Sequence, residues 1–320
     1  MNFYFAPMEG ITGHIYRRAF QKYFPAPDKY FTPFISPDGN KILRNKEKRD
    51  VLPENNAGMQ VVPQIITNRA DYFLMAAEHL KSEYGYAEVN LNLGCPSGTV
   101  VAKGKGAGFL SKLDELELFF DEVFEKCTVE VSVKTRVGRN DAEDWEKIVE
   151  IFGRYPIKEL TVHPRIQKDF YKGQVRMETF SYAYENWDRL LCYNGDIFTK
   201  DSYEKLKERF PALKSVMLGR GLLSDPYLIG RLRGEELPSE QIRRDTIRAF
   251  HGQLMEEYGA VLSCDRDLLY KMKELWFYLL DSFCDSDKTR KQIRKCEKLC
   301  EYRCIVSELF ERRLIDENGY

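Results

Sequence analysis

No stretch of the 320-residue sequence approaches the ~20 consecutive apolar residues that a membrane-spanning helix needs, so no span is expected. Excess charge is also missing. With 49 Lys and Arg against 50 Asp and Glu, the formal net charge is -1, which excludes whole-chain attraction to nucleic acid. Any RNA binding has to come from a local basic face. The opening MNFYFAPMEG carries no basic leader, and its apolar run ends at Pro7 and Glu9, so no signal peptide is expected. The eight cysteines (Cys95, Cys127, Cys192, Cys264, Cys284, Cys296, Cys300, Cys304) show no compact disulfide spacing. This predicts free thiols in a reducing, cytoplasmic setting. Neither an internal repeat nor a low-complexity tract is present.

What is there is a globular composition, 43% hydrophobic and 31% charged, in a chain long enough for one large domain and a small one. Eight short strand-like runs occur at 2–6, 29–35, 59–66, 87–93, 129–136, 158–163, 190–194 and 214–219. Helical patterns fall between most of them. Residues 114–126 carry Leu116, Phe119, Phe120, Val123 and Phe124 on one stripe, and 141–155 repeats it with Trp145, Ile148, Val149 and Phe152. This alternation predicts the α/β class, a closed (β/α)8 TIM barrel over residues 1–235. The competing open doubly wound sheet would carry G-x-G-x-x-G after its first strand, and FAPMEGITG lacks it. From residue 238 to 320 every pattern is helical, with Asp285-Ser286-Asp287 as an N-cap, predicting a small all-helical domain.

Function in such a barrel sits where strands end. Those ends deliver Pro7-Met8-Glu9, Gln64, Asn92 and Cys95, Lys134 and Arg136, His163 and Arg165, Asn194-Gly195-Asp196, and Gly219-Arg220. Gln64 reads equally as a site residue or a strand-end cap, and His163 as a site residue or a satisfied core histidine. Lys134 stands in an otherwise apolar strand, where lysine is seldom buried without a partner, and so points to function. Gly219-Arg220 suits either a tight turn or a phosphate. Together these residues describe a ligand with a phosphate at one end, a ring edge for amide side chains and a negative charge for an ammonium. Flavin mononucleotide (FMN) fits that description.

The stretch NLNLGCPSGT (90–99) sets an alternating strand against an abrupt Gly-Cys-Pro, leaving Cys95 as either small filler or a reactive thiol. With FAPMEGIT, NLNLGCPSGTVVAKGKGAGFL, VSVKTRVG, LTVHPR, CYNGDI and VMLGRGLL, the chain resembles the tRNA-dihydrouridine synthase family over residues 5 to 223, and more loosely in its helical region. The resemblance implies FMN-dependent reduction of tRNA uridines, with NADPH as reductant and tRNA as partner; a monomer is expected. It places Pro7, Met8, Glu9, Gln64, Lys134 and His163 on the flavin, and Asn194, Gly195, Asp196, Gly219 and Arg220 at its ribityl–phosphate end. Asn92 would meet the substrate base, and Cys95 would donate the proton to C5. Arg136 and Arg165 join the expected substrate contacts.

Basic residues supply candidate tRNA contacts: Lys103 and Lys105 beside Cys95, and Lys291, Arg294 and Lys295 in a run of cations from Lys288 to Lys298. Lys41, Arg44, Lys46, Lys48 and Arg49 read equally as phosphate contacts or a solvated loop. Trp276 is expected in the core. AKGKGAG (102–108) fails the phosphate-loop spacing and is expected to be a mobile loop. Cys296, Cys300 and Cys304 match no metal spacing, so no metal is expected, and they are expected to pack along one helical stripe. The alternatives are a flavin barrel reducing a small pyrimidine-like ring, against which the helical region speaks, and a non-catalytic tRNA-binding module, against which Cys95, Lys134 and His163 speak together.

Overall fold

A computed structural model describes residues 1–315. It contains nine parallel strands: β1 (Asn2–Phe5), β2 (Lys29–Phe31), β3 (Val61–Val62), β4 (Gln64–Ile65), β5 (Glu88–Leu93), β6 (Glu130–Arg136), β7 (Glu159–His163), β8 (Leu190–Tyr193) and β9 (Ser215–Leu218). Their order is β3-β2-β1-β9-β8-β7-β6-β5-β4. The two ends of that order are halves of one run, interrupted at Pro63, which has no N–H to give to a ladder. The sheet is therefore a nearly closed TIM-type barrel, as expected. The run expected at 29–35 shortens to β2, and Ile35 makes only an isolated bridge to Ile65.

Contacts divide the chain into two compact units. The first comprises Met1–Glu9, Asp28–Gly195 and Lys207–Leu218 and holds all nine strands. The second comprises Gly10–Pro27, Asp196–Leu206 and the described residues from Gly219 onward. Among the described residues no helix is long and apolar enough to cross a membrane.

Strand pairing aligns residues across the first unit's barrel in layers. At the level where β1 meets β2, the Tyr4 hydroxyl (3.0 Å), the Lys29 ammonium (3.1 Å) and the Ser215 hydroxyl (3.0 Å) all donate to Glu159. Lys29 also lies 3.6 Å from Glu88, whose other ion pair is with Lys158 at 2.7 Å. The Glu159 carboxylate and the repulsion it exerts, together with burial, hold the Tyr4 phenol far above its usual range. Burial is the larger cause. Tyr4, Ala6, Phe31, Val62, Cys192 and Met217 form an apolar cluster. Gln64, Asn92, Lys134 and His163 lie towards the C-terminal ends of their strands.

In the second unit, Phe250 packs edge-on to Tyr16 (5.4 Å) and Phe24 (4.9 Å). Trp276 is buried in the core, as expected. The expected single helix after Asp285 is two, Asp287–Lys295 and Leu299–Leu309. Lys273 donates to the Arg294 and Cys296 carbonyls, satisfying the first helix's C-terminal end where a cation is favoured. The cysteine stripe is corrected accordingly. Cys296 is buried at that helix end, while Cys300 and Cys304 lie exposed on the next helix. Among the described residues no cluster could hold a metal ion.

The Trp276 indole can only donate, and it donates to the Tyr302 hydroxyl, which shares a hydrogen bond of 2.6 Å with His251 Nε2. Burial holds His251 neutral, pushing its pKa down to about 4. A depressed histidine pKa stabilises the fold above its unfolded value of about 6.5, and that contribution is lost as pH falls towards 4. Denaturant melts should therefore show a loss on the order of 2 kcal/mol between pH 7 and 4 that His251→Gln largely removes. In the barrel, Glu159→Ala should cost about 3–5 kcal/mol, because it leaves Lys29 with one distant carboxylate, and urea titration will read it.

Candidate active site

β5 is buried along its whole length and ends in Gly94-Cys95-Pro96. Its inward residues hold the turn that follows. The Asn92 Oδ1 accepts the backbone N–H groups of Gly94 (3.0 Å) and Cys95 (2.8 Å). The Asn92 amino group donates to Gln64 Oε1 at 2.7 Å, and Gln64 Nε2 donates to Asn90 Oδ1 at 2.8 Å. Asn90 Nδ2 donates to the Ser132 hydroxyl at 3.0 Å, which donates to Glu88 at 2.8 Å. Asn90 read from the sequence only as part of the strand's alternation, and Ser132 and Glu88 were missed; their signal was the inward polar residues of EVNLNL and EVSVKTR.

Burial pushes the Cys95 thiol above its usual range, against smaller downward effects that include Arg136 and Lys134. The thiol therefore stays protonated at neutral pH, which suits an acid rather than a nucleophile. Lys134 pairs in register with Asn92 on one side and Thr161 on the other. Among the described residues its ammonium makes no hydrogen bond or ion pair, and burial, then Arg136, lowers its pKa to about 8. A partly enclosed cation without a counter-charge is a site for an anionic group.

Arg165 can only donate, and it does so to His163 Nε2 at 3.2 Å, leaving the ring proton on Nδ1. Arg136 and Arg165 are buried, and their guanidinium groups reach backbone carbonyls. Arg136 donates to Gly94 (3.0 Å), Ile166 (2.8 Å) and Phe170 (2.6 Å), and Arg165 to Lys172 (3.4 Å) and Gly173 (2.5 Å). Both thus strap the segment after β7 in place. That segment presents Tyr171, another residue missed in the sequence, with its ring 6.2 Å from His163 and 5.5 Å from the Arg136 guanidinium.

Pro7 and Met8 are half-buried, and exposed Glu9 pairs with Lys46 at 2.8 Å. Asn194 is buried and donates to the Met217 carbonyl at 2.8 Å. A side chain at Gly195 would lie 2.0 Å from the Tyr193 hydroxyl and would have to displace that ring. In the second unit, Asp196 pairs with Arg220 at 2.5 Å, next to Gly219. The Arg220 guanidinium also stacks 5.5 Å over Phe198.

AKGKGAG, expected as a mobile loop, is packed in its second half. Gly106–Ser111 is a short 3-10 helix, buried from Gly106 to Leu110, with the Ala107 N–H on the Cys95 carbonyl at 3.1 Å. Lys103 is exposed. Burial, then Lys103 and Arg44, lowers the Lys105 pKa, which brings two candidate RNA contacts together with one residue of the 41–49 run. In the second unit, Lys288, Lys291, Arg294, Lys295 and Lys298 are exposed and make no ion pair among the described residues.

The family model for dihydrouridine synthase matches residues 4–313. The chain belongs to the dihydrouridine synthase family. It is thereby an oxidoreductase, since making dihydrouridine is a reduction. The chain is 26% identical to a probable tRNA-dihydrouridine synthase 2 of Bacillus subtilis, over 98% of this chain and 95% of the relative. It is 25% identical to a probable tRNA-dihydrouridine synthase 1 of Synechocystis, over 95% and 84%. Two solved structures share the barrel fold. A morphinone reductase variant in complex with tetrahydroNAD has a TM-score of 0.53 at 11% identity, over 75% of this chain and 88% of its own. The old yellow enzyme homologue of Zymomonas mobilis has a TM-score of 0.52 at 10% identity, over 75% and 90%.

A side chain at Gly106 would meet the Cys95 carbonyl at 2.9 Å and its Cβ at 3.0 Å, at a φ of +56°. Gly58, at +76°, has nothing within 4 Å. Gly58→Ala should therefore cost only backbone strain, about 1 kcal/mol, and Gly106→Ala distinctly more, as read by denaturant melts. Gly106→Ala alone should also change the alkylation rate of Cys95.

Proposed function

We propose that the protein reduces the C5–C6 double bond of uridine in tRNA, using FMN re-reduced by NADPH, with Cys95 as the acid. The observation that carries this reading is the pair at the strand ends: a protonated thiol whose backbone N–H is held by Asn92, and an ammonium at Lys134 that has no partner among the described residues. The donor set fits a flavin. Lys134 would face the negative charge of its reduced ring, and Gln64, His163, Pro7, Met8 and Glu9 would line that ring. Asn194, Gly195, Asp196, Gly219 and Arg220 would hold the ribityl–phosphate end.

When bound, the reduced flavin supplies hydride to uracil C6. The remaining work falls to this chain. Cys95 gives its proton to C5 as negative charge develops there, and its raised pKa keeps that proton in place until then. Asn92 holds the Cys95 backbone and meets the base. Arg136 and Arg165 fix the segment that carries Tyr171. The target uridine must leave its stack to reach such a site, at a cost of a few kcal/mol that RNA contacts elsewhere offset. Lys103 and Lys105 in the first unit would supply such contacts, as would Lys291, Arg294 and Lys295 in the second, all through phosphates.

The purified protein should be yellow and release FMN. With tRNA from a strain lacking the modification, it should form dihydrouridine at the expense of NADPH. A colourless protein that takes up no flavin, or a yellow one that leaves tRNA unchanged, would count against the reading. Cys95→Ala should keep flavin and tRNA binding and lose turnover by about 100-fold or more. Flavin binding to the apoprotein should weaken as pH rises through about 8, where Lys134 of the free protein sheds its proton, and Lys134→Arg should move that limb upward.

A further inference from the structure

The hydrogen bonds running through the barrel interior have only one possible direction. At one end are the backbone N–H groups of Gly94 and Cys95, which can only donate, so the side-chain oxygen of Asn92 must face them. At the other end is Glu88, ion-paired with Lys29 and Lys158, whose oxygens act as acceptors. Between them Asn92, Gln64, Asn90 and Ser132 each donate towards Glu88, over contacts of 2.7 to 3.0 Å. All four are buried, and none has a buried polar atom left unsatisfied. An amide in the middle of this chain has no orientation of its own. Reversing Gln64 would set its amino group against that of Asn92 and its oxygen against that of Asn90.

We infer that Ser132 and Asn90 are positioning residues, which tie Gln64 and Asn92 to Glu88 in the one orientation that both ends of the chain demand and so hold fixed what the site shows its substrate. Both oxygen lone pairs of Asn92 are occupied by Gly94 and Cys95, and one amino hydrogen is occupied by Gln64. Its one remaining valence is a donor. Asn92 therefore donates to a carbonyl and opposes an amino group. On the proposed function, with this donor facing C4, it selects uracil, whose C4 carries a carbonyl, over cytosine, whose C4 carries an amino group; the C2 carbonyl is common to both. It rests on that reading for the identity of the base, while the fixed direction of the chain does not.

The test compares Ser132→Ala, which removes the link, with Ser132→Thr, which keeps the hydroxyl. Amide exchange is followed at Gly94 and Cys95, with Leu91 and Val133 as reporters of the strands. Ser132→Ala should speed exchange at Gly94 and Cys95 by about tenfold or more while Leu91 and Val133 stay near wild type. It should lower kcat by about tenfold, with flavin content and tRNA Kd unchanged. Ser132→Thr should restore both. Unchanged exchange at Gly94 and Cys95, or a uniform rise across both strands, would overturn the inference, as would a threonine variant that behaves like alanine. If wild type forms no dihydrouridine yet the exchange pattern holds, the functional reading fails and the positioning chain stands.

Discussion

Two carboxylates are sealed inside the barrel, and their need for partners organises much of what lies around them. Glu159 takes Tyr4, Lys29 and Ser215, while Glu88 takes Lys29, Lys158 and Ser132. An unpaired buried charge is among the most expensive defects a core can hold, so these positions tolerate little change. Glu88 also ends a run of side chains that begins at Cys95. The charged interior and the loop beyond the strand ends are therefore one structure, linked by hydrogen bonds rather than by a backbone movement.

The loop itself is held from three sides. Asn92 takes its N–H groups, Arg136 takes the Gly94 carbonyl, and the Ala107 N–H takes the Cys95 carbonyl. Gly106 closes the remaining space. Such a thiol has little freedom to search for its target, and precision of this kind is what a positioned proton donor needs. A solvent-exposed cysteine such as Cys300, which no neighbouring loop holds among the described residues, would not serve.

The barrel was legible because its strands alternate with helices and because Asn90 and Asn92 interrupt an apolar strand at period two. The strand-end rule picked out Cys95 and Lys134 by position alone, and the family resemblance supplied their roles. What stayed hidden was pairwise. Arg136 and Arg165 are arginines near a site, and nothing in their spacing says that their guanidinium groups hold backbone carbonyls. Glu88 and Ser132 are separated by 44 residues, and only strand pairing makes them neighbours. The three cysteines from 296 to 304 misled for a different reason. Helical period continues across the break at Cys296, where Lys273 from another helix takes the end carbonyls. AKGKGAG misled because glycine permits both a mobile loop and a tightly packed one, and only the neighbours decide.

Lys134 carries a consequence beyond the site's shape. With a pKa of about 8, its proton is only partly bound in mildly alkaline solution. An anion settling beside it favours the protonated form, so binding takes up a fraction of a proton from the buffer. Ligand affinity and acidity are thus thermodynamically linked at this one nitrogen. The heat of binding will depend on the ionisation enthalpy of the buffer, even where the ligand itself does not titrate.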